Sequence, residues 1–494
     1  MLTAEDNTWY SDPKIDGFYE WLYGAAFSPF YRMISFGDTG PNRAYDPFDP
    51  GVHKFSIQAF ANLAWCANGR MPSGSLFHYA LMDKPLPKPK KPLSRIWPDG
   101  CAAFWEDNPS DRSLMGVLWN CKNTRHGGDG HSHKEVNAIH LCAYGEHILR
   151  NSGYVGWGNG PLGFSWDYVH NNAVSANTVL IDDKDHSEKK GGGIVAGFTT
   201  PQFDYACGDS KDALPNGKHQ RNFCFVHPQD GRVGYWVLFD EVKSDKPSSK
   251  VNVVLHPNSD DCTPLADKLE YKWKIGPEKQ TYSGHDVFVN IFLATSPASV
   301  TVKPGLLANM GGEKNCFVGK YLNSTYETDD EGGRNIVTVL FPHDATHPKA
   351  KMTRITGSGF SGAKIDLGNS VTDLAIESDV KKAVKYDGVS FVGIAALCRL
   401  KDDSNAFYFV RKGRSFDNGA KSRRGFESDV DVSVYVKDKQ GRIISPGAEV
   451  TFFYPDVTGV LLDGKAVPIL ASDDGWIRVK VTQGTHCLKF TATK

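Results

Sequence analysis

Alternation of apolar and polar residues with a period of two is the feature that most constrains the fold of this chain. It recurs in short segments between residues 116 and 481, as expected for β-strands that bury one face. Turn dipeptides separate many of these segments: Asp230-Gly231, Gln440-Gly441, Asp463-Gly464 and Gln483-Gly484. Because no helical period intervenes, the pattern predicts antiparallel β-sandwiches and argues against a parallel α/β fold.

Thirteen segments carry this pattern. The predicted strands lie at 116–120, 138–144, 178–181, 222–226, 234–242, 251–256, 287–294, 335–342, 390–397, 406–410, 431–436, 450–454 and 476–481.

The N-terminal part carries a helical period instead. Apolar residues 15, 18, 19 and 22, and again 57, 60, 61, 64 and 65, predict two amphipathic helices. A segment with five prolines and four lysines follows at 83–98 and predicts an extended linker. The predicted domains are a helical segment at 1–82, this linker, a large β-sandwich at 99–370 and a smaller β-sandwich at 371–494. The last boundary rests on a Gly/Ser-rich stretch within 355–385.

Charge and hydropathy exclude several classes of function. The 494 residues carry 56 Lys and Arg against 57 Asp and Glu, a net charge of −1, so bulk charge attracts neither nucleic acid nor an anionic membrane. No window approaches the 18 consecutive apolar residues that indicate a transmembrane helix.

The N-terminus has acidic residues and no apolar stretch, which predicts no signal peptide in this chain. The ten cysteines include no CxxC pair and are predicted as buried thiols, with disulfides as the alternative.

The densest group of reactive side chains lies between residues 125 and 137. Three histidines, two carboxylates and an arginine fall within these 13 residues. On a strand, His131, His133, Glu135 and Asn137 would share one face. Two imidazoles at that spacing can share a metal ion or a substrate; a polar strand edge is the alternative interpretation. Arg125 is a candidate substrate-binding residue.

Aromatic and amide side chains follow this group. Trp157, Trp166 and Asn171 lie among glycines and asparagines. Flat aromatic faces for stacking, together with amides for hydroxyl groups, are typical of a sugar-binding surface. The alternative is that these aromatics belong to the core of the sandwich.

The run HSHKEVNAIHLCAYGEHILRNSGY, followed by SANTVLID, resembles the central β-domain of heparinase II/III-like polysaccharide lyases. That family often shows HxHxD, a strand, Asp-x-Gly and then HNTV, and here His133 and Asn151 stand 18 residues apart, as in the family. The Phe36-Gly37-Asp38 loop resembles the end of the family's helical (α/α) toroid. The resemblance covers roughly residues 30–185. It implies a mainly β fold, with a large and a small antiparallel β-sandwich preceded by a short helical remnant of the toroid.

The resemblance also implies a reaction. Members of the family cleave uronic-acid-containing glycans by β-elimination, in which a base removes the C5 proton and an acid protonates the leaving O4. His131 matches the catalytic or carboxylate-facing histidine, and Tyr168 lies where the β-domain can supply a tyrosine to the cleft. The implied partner is an anionic polysaccharide, and the implied location is periplasmic or secreted.

A divalent metal ion, most simply zinc, is implied as well. His133 matches a metal ligand, with Asn151 and His170 as further candidates and Glu135 as the side chain that orients an imidazole. Two of the metal-ligand positions depart from the family: Asn151 replaces an aspartate, and Ala176 replaces the histidine of HNTV. A neutral amide binds zinc poorly and alanine not at all, so His170 is the candidate substitute.

The length of the helical part leaves alternatives open. About 80 residues precede the linker, too few for a complete toroid. The chain is then a truncated product, one half of a lyase whose other half is a separate polypeptide, or a form with a naturally reduced helical part. A homodimer is the alternative assembly. A non-catalytic polysaccharide-binding protein is the competing function. A metal hydrolase of the amidohydrolase type is disfavoured, because glycine precedes the HxH and β-strands follow it.

Overall fold

The computed structural model describes residues 13–30, 32–39, 92–107, 109–122, 131–156, 160–265, 268–276, 283–308, 316–379, 382–401, 404–419, 424–454, 456–473 and 475–492. These residues are mainly β, which confirms the predicted fold class. The described α-helices are α1 (Pro13–Ala25) and the short α2 (Trp166–Asn171). Short 3-10 turns at Pro161–Gly163 and Ala173–Ser175 flank α2.

The described strands form four antiparallel sheets. Sheet A has the order β1-β2-β3-β4-β5 and consists of β1 (Arg95–Trp97), β2 (Cys101–Trp105), β3 (Met115–Trp119), β4 (Ala138–Ala143) and β5 (Glu146–Leu149). Sheet C has the order β15-β16-β11-β6 and consists of β6 (Val179–Ile181), β11 (Lys250–Leu255), β15 (Ser299–Ala308) and β16 (Cys316–Glu327).

Sheets B and D are larger. Sheet B, ordered β12-β13-β14-β17-β10-β9-β8-β7, contains β7 (Gly193–Phe198), β8 (Phe203–Asp209), β9 (Gly217–Val226), β10 (Tyr235–Ser244), β12 (Asp261–Pro264), β13 (Glu270–Lys274), β14 (Val287–Leu293) and β17 (Gly333–Asp344). Sheet D contains β18 (Lys351–Gly357), β19 (Phe360–Asp366), β20 (Val371–Ser378), β21 (Val384–Tyr386), β22 (Val389–Val392), β23 (Ala395–Lys401), β24 (Ser404–Asp417), β25 (Gly425–Lys437), β26 (Gln440–Phe453), β27 (Val457–Leu462), β28 (Lys465–Ala466), β29 (Ile469–Asp473) and β30 (Trp476–Ala492).

Sheet B lies at the centre of the stack. One of its faces shares a core with sheets A and C, where Phe104 of β2 stacks on Phe223 of β9. Its other face shares a second core with sheet D, formed by Tyr205, Phe409 and their neighbours. Both faces of its strands are therefore covered, and in β10 every residue from Tyr235 to Asp240 is buried.

The N-terminal segment covers the outer face of sheet A. Ala25 and Ile34 pack against Met115, Val117 and other apolar residues of β2–β4. Consequently every residue of β2 is buried. This packing places the loop at 34–39 against the start of β4, where the candidate site lies.

Two predicted segments differ in the structure. The Gly/Ser-rich stretch that suggested a boundary forms β19 and neighbouring strands, and sheet D begins at Lys351, before residue 371. Small residues are needed there because a Cβ on Gly362 would lie 2.2 Å from the carbonyl oxygen of Ala375 in the paired strand. The end of the predicted linker forms β1. The predicted helix at 57–65 lies outside the described residues.

The described cysteines are thiols, and most of them are buried. Among the described helices, none combines the length and apolar character that crossing a membrane requires.

Candidate functional site

A tight loop carries Asp38 to the start of β4. Gly37 adopts φ +57°, and a Cβ there would lie 2.8 Å from the carbonyl oxygen of His131, so the turn requires glycine. The Gly37 amide donates to Glu135 Oε1 at 2.8 Å, and the Thr39 hydroxyl donates to the Ile34 carbonyl at 2.7 Å. The Asp38 loop is therefore fastened both to itself and to the segment that holds the histidines.

Three histidines surround the Asp38 carboxylate. His131 Nδ1 lies 2.8 Å from Asp38 Oδ2, while His133 Nε2 and His170 Nε2 each lie 3.1 Å from Asp38 Oδ1. The rings of His133 and His170 meet edge to face, with centroids 4.4 Å apart. His133 and His170 are almost fully buried, whereas 83% of the His131 side chain is exposed.

Hydrogen bonds from the three histidines keep Asp38 ionised. Burial alone would raise the pKa of its carboxyl group, but the neighbouring His133, His170 and His131 outweigh burial and hold that pKa well below its usual range. Asp38 is therefore a permanent acceptor for imidazole N–H groups. An Nδ1–H of His131 directed at Asp38 leaves Nε2 as the acceptor nitrogen on the exposed side of the ring, which is the arrangement of a general base held by a carboxylate.

The predicted strand alternation does not position these side chains. Strand β4 begins only at Ala138, and the residues from 131 to 137 form a loop with a turn. His131 is consequently exposed while His133 is buried, although the two were predicted to share one face. The correction has a physical cause: the Asn137 backbone adopts φ +55°, which ends the extended conformation before β4 starts.

A buried ion pair supports this loop from sheet B. Arg221 of β9 pairs with Asp240 of β10, with Nε and Oδ1 2.8 Å apart. Arg221 Nη1 donates to the backbone carbonyls of Asn137 at 2.9 Å and Asn177 at 2.6 Å. His219 Nε2 lies 2.8 Å from the same Asp240 oxygen. The base of the His131 loop is thus fixed by a fully buried network.

Glu135 and Asn151 form a second support. Glu135 accepts hydrogen bonds from the Gly37 amide and from Asn151 Nδ2, both at 2.8 Å, so it fastens the Asp38 loop. Burial raises the pKa of Glu135 to about 8, although these two donors act in the opposite direction. Asn151 Oδ1 in turn accepts from the Asn177 amide at 2.9 Å. Both ends of the Asn151 amide are therefore occupied, and Asp38 takes the place in the histidine group that the sequence suggested for Asn151.

Helix α2 places His170 in the histidine group and Tyr168 on the opposite side of the helix. Residues two apart on a helix point to nearly opposite sides. The Tyr168 ring packs with a small apolar cluster that includes Leu306, and burial, with Tyr321 nearby, raises its pKa although Ser152 and the Leu306 backbone oppose this. Tyr168 was predicted to line the same groove as His131 and His133, and it lies on the side of α2 away from His170.

The other residues predicted from α2 have local partners. Trp166 stacks on His170, with ring centroids 4.1 Å apart, so one face of the indole supports the histidine group. Asn171 Nδ2 donates to Asp167 Oδ1 at 2.7 Å near the surface. Arg125 and Trp157 lie outside the described residues.

Two residues of the site were not predicted to act there. Asp38 is 93 positions from His131 in the chain, and only the Phe36-Gly37-Asp38 resemblance pointed to its loop. Tyr154 is partly exposed, and its ring centroid lies 6.2 Å from that of His170. Partial burial and the Asp38 carboxylate raise the pKa of its phenol. The sequence feature that could have indicated Tyr154 is its position beside Ser152 and Gly153, in the polar segment after β5.

An open cavity of about 260 Å³ adjoins the histidine group. Phe36, Asp38, Trp119, His131 and His133 contribute to its lining. The cavity therefore combines an aromatic wall, a carboxylate and two imidazoles. This combination suits a polar ligand that also presents an apolar face.

Asp38, His133 and His170 could also hold a metal ion. One ligand atom from each lies within 4.8 Å of the others, and two imidazoles with a carboxylate form a donor set that zinc accepts. This set fits a metal ion better than the predicted set with Asn151.

The described residues contain a second group of this kind, formed by His140, Cys142 and His147. The Ser35 amide donates to His140 Nδ1 at 3.2 Å, so the neutral His140 ring carries its proton on Nε2. That Nε2 lies 2.8 Å from His147 Nδ1 and donates to it. Burial, together with the nearby positive charge of Arg150, lowers the pKa of His140 and keeps its ring neutral. The group is a hydrogen-bonded chain in the core, because His140 Nε2 is not available as a metal ligand.

Comparison with known proteins agrees with this architecture. Residues 120–313 match the family model described as "Heparinase II/III-like, C-terminal". This part of the chain is therefore similar to the C-terminal domain of heparinase II/III-like proteins. No curated protein sequence matches the chain.

Solved structures of lyases share the fold. Heparan sulfate lyase HepC from Pedobacter heparinus is 14% identical with a TM-score of 0.50, covering 72% of this chain and 50% of that one. The heparinase III BT4657 gene product is 14% identical with a TM-score of 0.52, covering 77% and 51%. Another structure, described as heparinase III, is 12% identical with a TM-score of 0.53, covering 73% and 53%. The chain thus matches about half the length of these structures.

Proposed function

We propose that the protein is a polysaccharide lyase that cleaves a uronic-acid-containing glycan by β-elimination. The observation that carries the proposal is the convergence of His131, His133 and His170 on Asp38 beside an open cavity. The family of the surrounding domain supports it, as do the names of the structures that share the fold. The proposed substrate class is an anionic polysaccharide.

The proposed reaction needs a base and an acid. His131 Nε2 takes the C5 proton of the uronate, a double bond forms between C4 and C5, and the C4–O4 bond breaks with its electron pair going to O4. Tyr154 then gives the phenolic proton to O4. Asp38 holds Nδ1 of His131 and favours its protonated form after the transfer. Tyr154 takes the acid role predicted for Tyr168, because it is the tyrosine whose ring faces His170.

Further residues are proposed to bind the substrate. The proposal keeps Arg125 as the residue that neutralises the uronate carboxylate, and Trp157, Trp166 and Asn171 as residues near the sugar chain. A periplasmic or secreted location, a homodimer, and a helical half supplied by another polypeptide also remain proposals. The last is compatible with the match to about half the length of the lyase structures.

Product formation tests the proposal. Incubation with glycosaminoglycans, alginate, ulvan and glucuronan should produce the ultraviolet band of an unsaturated uronate with at least one of them. His131→Ala and Tyr154→Phe should each lower kcat by about 100-fold or more. His486→Ala is a matched control, because His486 pairs with Asp463 at 2.7 Å in sheet D, and it should keep full activity.

Two results would count against lyase activity. A His131→Ala variant as active as the wild-type protein would remove His131 from the reaction. Retention of the wild-type protein by a glycan gel without any ultraviolet product would instead favour the second candidate function, a polysaccharide-binding protein without turnover.

We also propose that Asp38, His133 and His170 hold a zinc ion. A bound zinc ion would fix the three side chains and add positive charge to the wall of the cavity. Elemental analysis of the purified protein should find about one equivalent of zinc, which His170→Ala loses and His486→Ala keeps. Zinc that survives the loss of His170, or a zinc-free wild-type protein after growth with zinc, would contradict this assignment.

A further inference from the structure

A second cleft lies at the other end of sheet A. It has a volume of about 550 Å³ and is formed by the connection between β2 and β3, the turn after β4, the turn between β9 and β10, and His347. Tyr144 in the turn after β4 lines it, together with Gln229 and Arg232 of the β9–β10 turn. We call it the hairpin cleft. Because β4 has six residues, the cleft lies roughly 20 Å along the strand from the loop of His131.

Three residues that line this cleft carry a buried hydrogen-bond donor without an acceptor. Tyr144 Oη, Gln229 Nε2 and Arg232 Nε are buried, and none has a hydrogen-bond partner among the described residues. The Gln229 amide has a defined orientation, since its Oε1 accepts from Lys437 Nζ at 2.9 Å. Arg232 Nη1 already donates to the Asp230 carbonyl at 3.3 Å. Buried donors of this kind normally have partners, so a ligand that fits the cleft should present acceptor oxygens.

The chemistry of these donors favours an oxyanion. Arginine Nε belongs to the edge of the guanidinium that binds carboxylate or sulfate with two parallel hydrogen bonds. Tyr144 stacks on His347 with centroids 4.4 Å apart, which gives the cleft a flat aromatic side. Asp230 and Glu106 also line the cleft, so bulk positive charge is not the attraction; directed hydrogen bonds are.

Cationic side chains continue beyond Gln229. Lys437, which holds Gln229, lines the neighbouring cleft of about 610 Å³ together with Lys439 and Arg442. Asp438 lines the same cleft. The Lys437–Gln229 contact therefore joins the lining of the hairpin cleft to that of a second cleft in which basic side chains outnumber acidic ones, and a chain with repeated acidic groups could contact both.

We infer that the hairpin cleft is a second glycan-binding site, in which Arg232, Gln229 and Tyr144 bind an acidic substituent of a sugar chain at a distance from the reactive histidines. This inference rests on the proposed function for the class of ligand. It adds a site that holds the polymer without taking part in the reaction.

Affinity electrophoresis tests this site separately from catalysis. Native gels containing polygalacturonate, which carries only carboxylates, or dextran sulfate, which carries only sulfates, identify which oxyanion is bound. At least one polymer should retard the wild-type protein, with the apparent Kd rising about tenfold or more in Arg232→Gln and less in Tyr144→Phe. Arg414→Gln is the matched control, since Arg414 is an exposed arginine paired with Asp431 at 2.9 Å in sheet D.

The outcomes separate the two proposals. His131→Ala should be retarded like the wild-type protein even if it forms no product, so failure of catalysis would leave the hairpin cleft intact. Equal retardation of the wild-type protein and Arg232→Gln on both polymers would overturn the second site, as would no retardation of the wild-type protein on either. Matching melting temperatures of the variants would exclude loss of folding as the cause of weaker binding.

Discussion

At the scale of single residues, the contact between Glu135 and Asn151 fixes the geometry of the histidine group. Glu135 accepts from the Gly37 amide and from Asn151, and Asn151 also binds Asn177. An amide can donate to a carboxylate and accept from a backbone N–H at the same time. Asparagine at position 151 is therefore suited to this contact in a way that an aspartate is not.

We expect Asn151→Asp to destabilise the protein by about 1–3 kcal/mol. The substitution removes the donor to Glu135 and places two buried carboxyl groups side by side, which raises their shared pKa. Because burial already raises the pKa of Glu135 to about 8, the folded state would bind more protons than the unfolded state. The deficit should therefore grow as the pH rises from about 5 to about 8, as measured by urea unfolding.

Asn171→Asp is the matched control. Asn171 donates to Asp167 near the surface at 2.7 Å, where water screens the added charge, so its effect should stay within about 0.5 kcal/mol. An Asn151→Asp variant as stable as the wild-type protein at pH 8 would mean that the Glu135 contact does not constrain this position.

At the scale of elements, strands β9 and β10 support the site from beneath. Arg221 and Asp240 are directly opposite in this antiparallel pair, and both are fully buried. Arg221 reaches past the pair to the carbonyls of Asn137 and Asn177. The pairing of β9 with β10 thus positions Arg221, and Arg221 fixes both the loop of His131 and the segment that contacts Asn151.

Asp240→Asn should lower the free energy of unfolding by about 3–5 kcal/mol, because it leaves the Arg221 guanidinium buried without its counter-charge. Burial alone would raise the pKa of Asp240, but Arg221 and His219 lower it well below the usual range. The stabilisation is therefore present above the unfolded pKa near 4 and is lost as the pH falls below it. The free energy of unfolding, measured between about pH 5 and pH 2, should therefore fall less steeply in Asp240→Asn than in the wild-type protein.

Asp431→Asn tests whether any lost ion pair has this effect. Asp431 and Arg414 are both more than half exposed, so the loss should be below about 1 kcal/mol. Equal losses in the two variants would contradict a special role for the buried pair.

The elements were predictable where one period determined them, and the site was predictable only in part. Strand β4 is apolar except for His140, and β10 begins with five apolar residues, so local sequence was enough to predict them. Asp38 meets His133 across 95 positions, and no local pattern reports such a contact. The position of Tyr168 has the same origin, because the direction of a side chain on α2 depends on which face of the helix packs on Leu306.

At the scale of the whole molecule, sheet B joins the heparinase-like part of the chain to sheet D. Tyr205 of β8 and Phe203 lie 4.7 and 5.1 Å from Phe409 of β24, measured between ring centroids. Arg411 Nε donates to Asn222 Oδ1 at 2.8 Å across the same interface. A shared apolar core with buried polar contacts favours one cooperative unit over two independent sandwiches.

Phe409→Ala should therefore lower stability by about 3–5 kcal/mol, and the protein should still unfold in a single calorimetric transition, because the other residues of the shared core still join sheets B and D. Leu470→Ala removes a side chain from a residue that is 49% exposed and should change stability by less than about 0.5 kcal/mol. Agreement between the calorimetric and van't Hoff enthalpies measures the cooperativity. Two separate transitions in the wild-type protein would instead mean that the shared core is too weak to couple the sheets, and then the support of the histidine group would depend on sheets A, B and C alone.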